Sequence, residues 1–200
     1  MFPDKVERIV IDGVVDPEDY YRTQWFTATQ DSGKALRWFF KSCLEAGPES
    51  CAFHEDSVEA MESKLNDIYA SVIKTPIPVQ GRKSNGIVDY SYVRGMVLKS
   101  LYHPFLLWPG LAKALQKIKE GNAAAIWSIG EELNPNPPFE CDCDLSKYEF
   151  ERLPEGLMGY VCNDGDAVPP DFESAQAHYE ASADYSPFGS IFAGFRIACK

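Results

Sequence analysis

The run Val6-Glu7-Arg8-Ile9-Val10-Ile11-Asp12 is β-branched, apolar and closed by Asp12-Gly13, the pattern of a single strand buried in a parallel-type sheet with a turn after it. Such a strand exposes amides and carbonyls on both edges and needs neighbours to satisfy them. No stretch of similar character follows before Leu157, where Leu157 to Cys162 reads as a second short strand. The expected fold is therefore mainly α, with one or two orphan core-type strands belonging to a larger sheet.

Helical signals fill most of the remaining chain. Asp16 is placed to cap a helix with Pro17 at its first position, Glu18 and Asp19 suit the positive end of the helix dipole, and this helix is expected to run to about Thr29. Asp31-Ser32-Gly33 is a turn and cap, after which Leu36, Phe39, Phe40 and Cys43 recur at helical spacing until Gly47-Pro48. Val58, Met61, Leu65, Ile68, Tyr69 and Val72 form the apolar stripe of a third helix, from about Asp56 to Lys74. Thr75 to Gly86 reads as a loop. Asp89 to Leu101 and Leu106 to Glu120 read as helices parted at His103-Pro104, and Asn122 to Gly130 as a short one. Asp171 to Ala183 and Phe188 to Cys199 are two more. The chain thus divides into a core-strand remnant (1–16), a helical domain (17–133), an irregular Pro- and acid-rich segment (134–156) and a strand-helix-helix segment (157–200).

A hydrophobic content of 45% supports one sizeable core, and a formal charge of -11 repels phosphate backbones and anionic lipid, so neither nucleic acid nor a membrane is an expected partner. Apolar stretches such as Pro104 to Leu115 are broken by Pro109 and Lys113 and fall short of the roughly 20 residues that cross a bilayer. The N-terminal residues lack the regions of a signal peptide. Against this, six cysteines without a Cys-x-x-Cys or a nearby His pair point to disulfides rather than a metal centre, and hence to an oxidising compartment.

Five features in order carry a resemblance: Phe2-Pro3 leading into the strand that ends Asp12-Gly13-Val14, Cys43 and Cys51 about Gly47-Pro48, Trp108-Pro109-Gly110-Leu111-Ala112 with Gly121-Asn122, Tyr160 to Asp164 with Cys162, and Arg196 to Cys199. Together they resemble the tripeptidyl-aminopeptidase-like class of α/β-hydrolases, serine peptidases related to proline iminopeptidases. The resemblance implies that residues 17–133 form the helical lid, or cap, of such a hydrolase, that the intact parent is secreted, and that it removes short peptides from a free N-terminus without a cofactor. That chemistry requires a Gly-x-Ser-x-Gly elbow, then an acid and a histidine in chain order. The sequence contains no such elbow. The serine is expected before Met1 and the acid and base after Lys200, so this chain is expected to be catalytically incomplete, working with a missing or separately encoded catalytic domain. Of its histidines, His54, His103 and His178, none pairs with an elbow serine; Ser128 lies in Trp-Ser-Ile-Gly and Ser190 in Gly-Ser-Ile.

Cys43 and Cys51 flank a Gly-Pro turn and are expected to bond, with two reduced core thiols as the alternative. Cys162 and Cys199 are expected to form a second bridge. Cys141 and Cys143 are too close for an unstrained bond, and their spacing matches no standard metal site. Glu131 and Glu132 follow a helical stretch, where a carboxylate in a lid can hold a peptide's α-ammonium group; the competing reading is a solvated acidic helix end. The aromatic residues Trp25 and Phe26, Trp38 to Phe40, and Tyr102, Phe105 and Trp108 either line a pocket or pack the helices. A reading of another class is a non-catalytic binding module whose apolar face takes a partner or a small apolar ligand and favours self-association.

Overall fold

The computed structural model describes residues 3–133 and 154–199, and Cys141, Cys143 and nearly all of the segment 134–156 lie outside them. The architecture is mainly helical, with one small antiparallel sheet among the described residues. Two compact units account for it: Met1–Gln30 with Arg152–Lys200 (unit 1), and Asp31–Glu151 (unit 2).

Unit 2 contains α2 (Ser32–Ala46), α3 (Val58–Lys74), the strands β1 (Ile77–Gln80) and β2 (Asn85–Val88), α4 (Tyr90–Leu101), α5 (Pro104–Lys119) and α6 (Ala124–Leu133). Local chemistry sets their ends. Gly47, at φ +76°, stops α2. Ser57 Oγ accepts the Ala60 amide to start α3, Asp89 Oδ1 accepts the Tyr92 amide at the head of α4, and Asn122 Oδ1 accepts the Ala124 amide before α6. The stripe read on α3 is the buried one: Val58, Met61, Leu65, Ile68 and Val72 all face the core. Phe39, Phe40 and Phe53 meet there, with ring centroids 5.4 to 6.5 Å apart. Lys64 reaches the same cluster, its Nζ 4.6 Å over the Phe53 ring and 2.7 Å from Glu55, which holds the Glu55 carboxyl below the usual range.

The stretch expected as a loop after Thr75 contains the sheet. Ile77 pairs with Val88 and Gln80 with Asn85 in antiparallel register, and the Gly81 amide donates to Ser84 O across the turn. Glycine is required on the covered face. A Cβ on Gly81 or Gly86 would run into the Trp127 ring of α6, whose Nε1 donates to Ser84 O at 3.2 Å.

Unit 1 contains α1 (Pro17–Tyr21), α7 (Pro154–Asp164), α8 (Phe172–Tyr185) and α9 (Gly189–Ile197). Asp16 caps α1 as the sequence indicates, accepting the Glu18 and Asp19 amides, but the helix ends at Tyr21 rather than near Thr29. Thr23 (φ +56°) and Trp25 (φ +64°) are left-handed, a conformation that cannot continue a right-handed helix. Arg196 of α9 holds the turn, its Nη1 donating to the carbonyls of Arg22 (2.9 Å) and Thr23 (3.3 Å).

Two strand assignments are corrected. Leu157 to Cys162 lies within α7. Val6 to Asp12 forms no strand and has no ladder partner among the described residues; Ile9 is 73% and Val10 95% exposed. Branched side chains favour a pleated surface only where a neighbouring strand supplies one.

Candidate functional site

A groove of about 420 Å³ lies in unit 2 between α2, α5 and the Cys43–Cys51 segment. Helical spacing builds the α2 wall, since Trp38, Ser42 and Ala46 stand on one face four residues apart beside Phe39. Pro104 opens α5 at its first position, and Phe105, Trp108 and Pro109 form the opposite wall. Phe39 and Trp108 close the floor edge to face, 5.6 Å apart. The rim is solvent-exposed: Trp38 is 63% and Phe105 100% accessible. Cys43 and Cys51, with Cα atoms 5.3 Å apart, are bonded and fix the end wall. No lining residue is charged, and Ser42 and Ser50 bring the side-chain hydroxyls.

The aromatic set read from the sequence is thus divided by the fold. Phe40 is core, Trp38, Phe39, Phe105 and Trp108 form the groove, and Trp25 and Phe26 belong to unit 1. The sequence places the start of this helix near Leu106, so Phe105 acquires a helical face only because α5 opens at Pro104.

Glu131 sits at the end of α6 and grips the β1–β2 turn. Its Oε1 accepts the amides of Lys83 (2.9 Å) and Ser84 (2.8 Å) and the Ser84 hydroxyl (2.9 Å). Burial works to raise the carboxyl, but hydrogen bonds from Lys83, Ser84 and the Arg82 backbone outweigh it and hold the group below the usual carboxylate range. Glu132, next along the helix, is exposed. The structure therefore gives Glu131 a turn-holding role and does not bring Glu132 to the groove.

In unit 1, His178 and Ser182 lie one turn apart on α8, with Nε2 and Oγ at 3.5 Å. This pair lacks the geometry of a nucleophile and base. Ser182 is 2% exposed and its hydroxyl donates to the His178 carbonyl at 2.7 Å. Asp19, the nearby acid, is spent on the chain turn, accepting the amides of Phe26 and Thr27 and the Thr27 hydroxyl. Burial and then the charge of Arg196 lower the His178 pKa from its ordinary value, while Asp19 acts in the opposite sense. Ser190 is buried in α9, and His54 and His103 belong to unit 2.

Two segments near the C-terminus, Tyr160 to Asp164 and Arg196 to Cys199, come together in unit 1. Cys162 is bonded to Cys199 with Cα atoms 4.9 Å apart, Tyr20 donates to Asp164 at 2.9 Å, and the Asp166 amide donates to Tyr21 O at 2.7 Å. Gly165 must be glycine, since a Cβ there would strike Thr23 Oγ1. Two disulfides fit a protein of an oxidising compartment, and no described helix is long and apolar enough to cross a membrane. Among the described residues no cluster of His, Cys, Asp or Glu is placed to hold a metal ion. Comparison with protein families, with curated proteins and with solved structures returns no match for this chain.

Proposed function

We propose that this chain is the lid-bearing part of a secreted serine α/β-hydrolase of the tripeptidyl-aminopeptidase-like class, catalytically incomplete by itself, whose parent takes short peptides by a free N-terminus. The observation that carries the reading is the run Val6 to Val15. Its six large aliphatic side chains, Val6, Ile9, Val10, Ile11, Val14 and Val15, are each about half or more exposed, from 49% to 95%. An apolar run of β-branched residues left open to water is a surface that wants a cover, and a neighbouring strand of a hydrolase core sheet supplies both the cover and the missing ladder. The helical unit 2 supports a cap, and the paired cysteines support an exported parent.

The reading predicts a division of labour. The cap shapes the mouth of the site and limits substrate length, while the nucleophile, acid and base come from the core. A fluorophosphonate probe should label no serine of this polypeptide, and a probe-labelled tryptic peptide from residues 1–200 would overturn the reading. The coding DNA tests the positive side: a Gly-x-Ser-x-Gly in frame just upstream, or on a co-expressed partner that binds this chain, is expected, and absence of both refutes it.

A further inference from the structure

We infer that the groove between α2 and α5 is a binding site for a neutral, ring-bearing apolar molecule. The inference uses unit 2 alone and does not depend on the cap reading. Three properties of the groove select the ligand class.

The first is charge. The chain carries -11 overall, yet every residue lining this cavity is uncharged. A charged ligand would lose its hydration there without gaining a counter-ion. The second is shape. About 420 Å³ lies within the range of small-molecule sites and is enough for two or three rings. The available surfaces are the faces and edges of Trp38, Phe39, Phe105 and Trp108, which suit stacked and edge-to-face contact with a further ring. The third is rigidity. The Cys43–Cys51 bond ties the end of α2 to the segment before α3, and Phe39 packs on the buried Phe40 and Phe53, so the floor and end wall are set before a ligand arrives. Water held against such walls has few hydrogen-bond partners beyond the hydroxyls of Ser42 and Ser50, and its release favours occupancy.

The exposed run Val6 to Val15 is the competing apolar surface, and the test separates the two. The whole chain with both disulfides intact is titrated with N-phenyl-1-naphthylamine, a neutral fluorescent probe, and with its sulfonated relative 1-anilinonaphthalene-8-sulfonate. Saturable one-to-one binding of the neutral probe with quenching of tryptophan emission is expected, with the sulfonate about tenfold weaker or worse. Trp38→Ala removes an exposed wall and Ser42→Glu brings a charge into the groove; each should weaken the neutral probe by about tenfold. Ile73→Ser and Val10→Ser, exposed sites outside the groove, should leave affinity within about twofold, and circular dichroism checks that all four variants fold. No saturable binding by the wild type, unchanged affinity in folded Trp38→Ala and Ser42→Glu, loss of binding in Val10→Ser, or equal affinity for the sulfonate would each overturn the assignment.

Discussion

Cutting the Cys162–Cys199 bond should destabilise unit 1 by about 4 kcal/mol, most of it through the unfolded chain. The bond closes a loop with a sequence separation of 37. In the chain-entropy description the constraint contributes about 0.6 kcal/mol plus (3/2)RT ln 37, which is about 3.2, for roughly 3.8 kcal/mol at 25 °C. Both cysteines are only half-buried, so the lost sulfur packing adds little. The native position of α9 has other holders, including the Arg196 hydrogen bonds to Arg22 and Thr23, so the native geometry should survive in the variant. The double substitution Cys162→Ala with Cys199→Ala keeps hydroxyls out of the site. Urea unfolding followed by circular dichroism, with hydrogen exchange read on peptides from α8 and α9, measures the change; at a slope of about 2 kcal/mol/M the midpoint should fall by roughly 2 M. A loss below about 1.5 kcal/mol with an unchanged slope would refute the reasoning, because the loop would then not be what restrains the unfolded chain.

Other outcomes follow from single sites. Because burial and Arg196 lower the folded pKa of His178 below its unfolded value, its contribution to stability is complete above pH of about 6.5 and is lost as pH falls below that; His178→Gln should flatten this acid limb of a stability-pH curve, and an unaltered curve would exclude the effect. Gly47→Ala, at φ +76° and ψ 172°, should cost about 1–3 kcal/mol in thermal or urea unfolding, whereas Gly95→Ala, in the middle of α4 with open space at its Cβ, should stabilise by about 0.8 kcal/mol. Phe53→Ala should cost about 3–5 kcal/mol, since its fully buried ring holds Phe39, Phe40 and the Lys64 stem together. Glu131→Gln weakens the charged acceptor of the β1–β2 turn, so amide exchange at Lys83 and Ser84 should accelerate without change in the core of α3.

The helices were legible because their determinants are local. Asp16, Ser57, Asp89, Asn122 and Asp171 each cap the helix that follows them, and the alternation of Val58, Met61, Leu65, Ile68 and Val72 marks one face whatever packs on it. The hairpin was not legible, because Pro78, Gly81 and Gly86 read as loop residues until Trp127 is placed over them. The early end of α1 was hidden for a similar reason: the left-handed turn at Thr23 and Trp25 is held by Arg196, far along the chain. Cys43 and Cys51 announced a constraint at the end of α2, but nothing in their spacing showed that the bond would also wall a groove.

The sequence by itself determined a mainly helical chain, the ends of most of its helices, a stock of aromatic residues for packing or a pocket wall, and an apolar run at Val6 to Val15 in want of a partner. These follow from capping chemistry, side-chain period and hydrophobicity, which act over a few residues. Only the tertiary structure decided which aromatic residues became core and which stayed at a rim, that Glu131 closes a turn, and that Val6 to Asp12 remains unpaired among the described residues. Those outcomes depend on what lies opposite each side chain in space, and a strand or a pocket wall exists only when a distant segment supplies its other side.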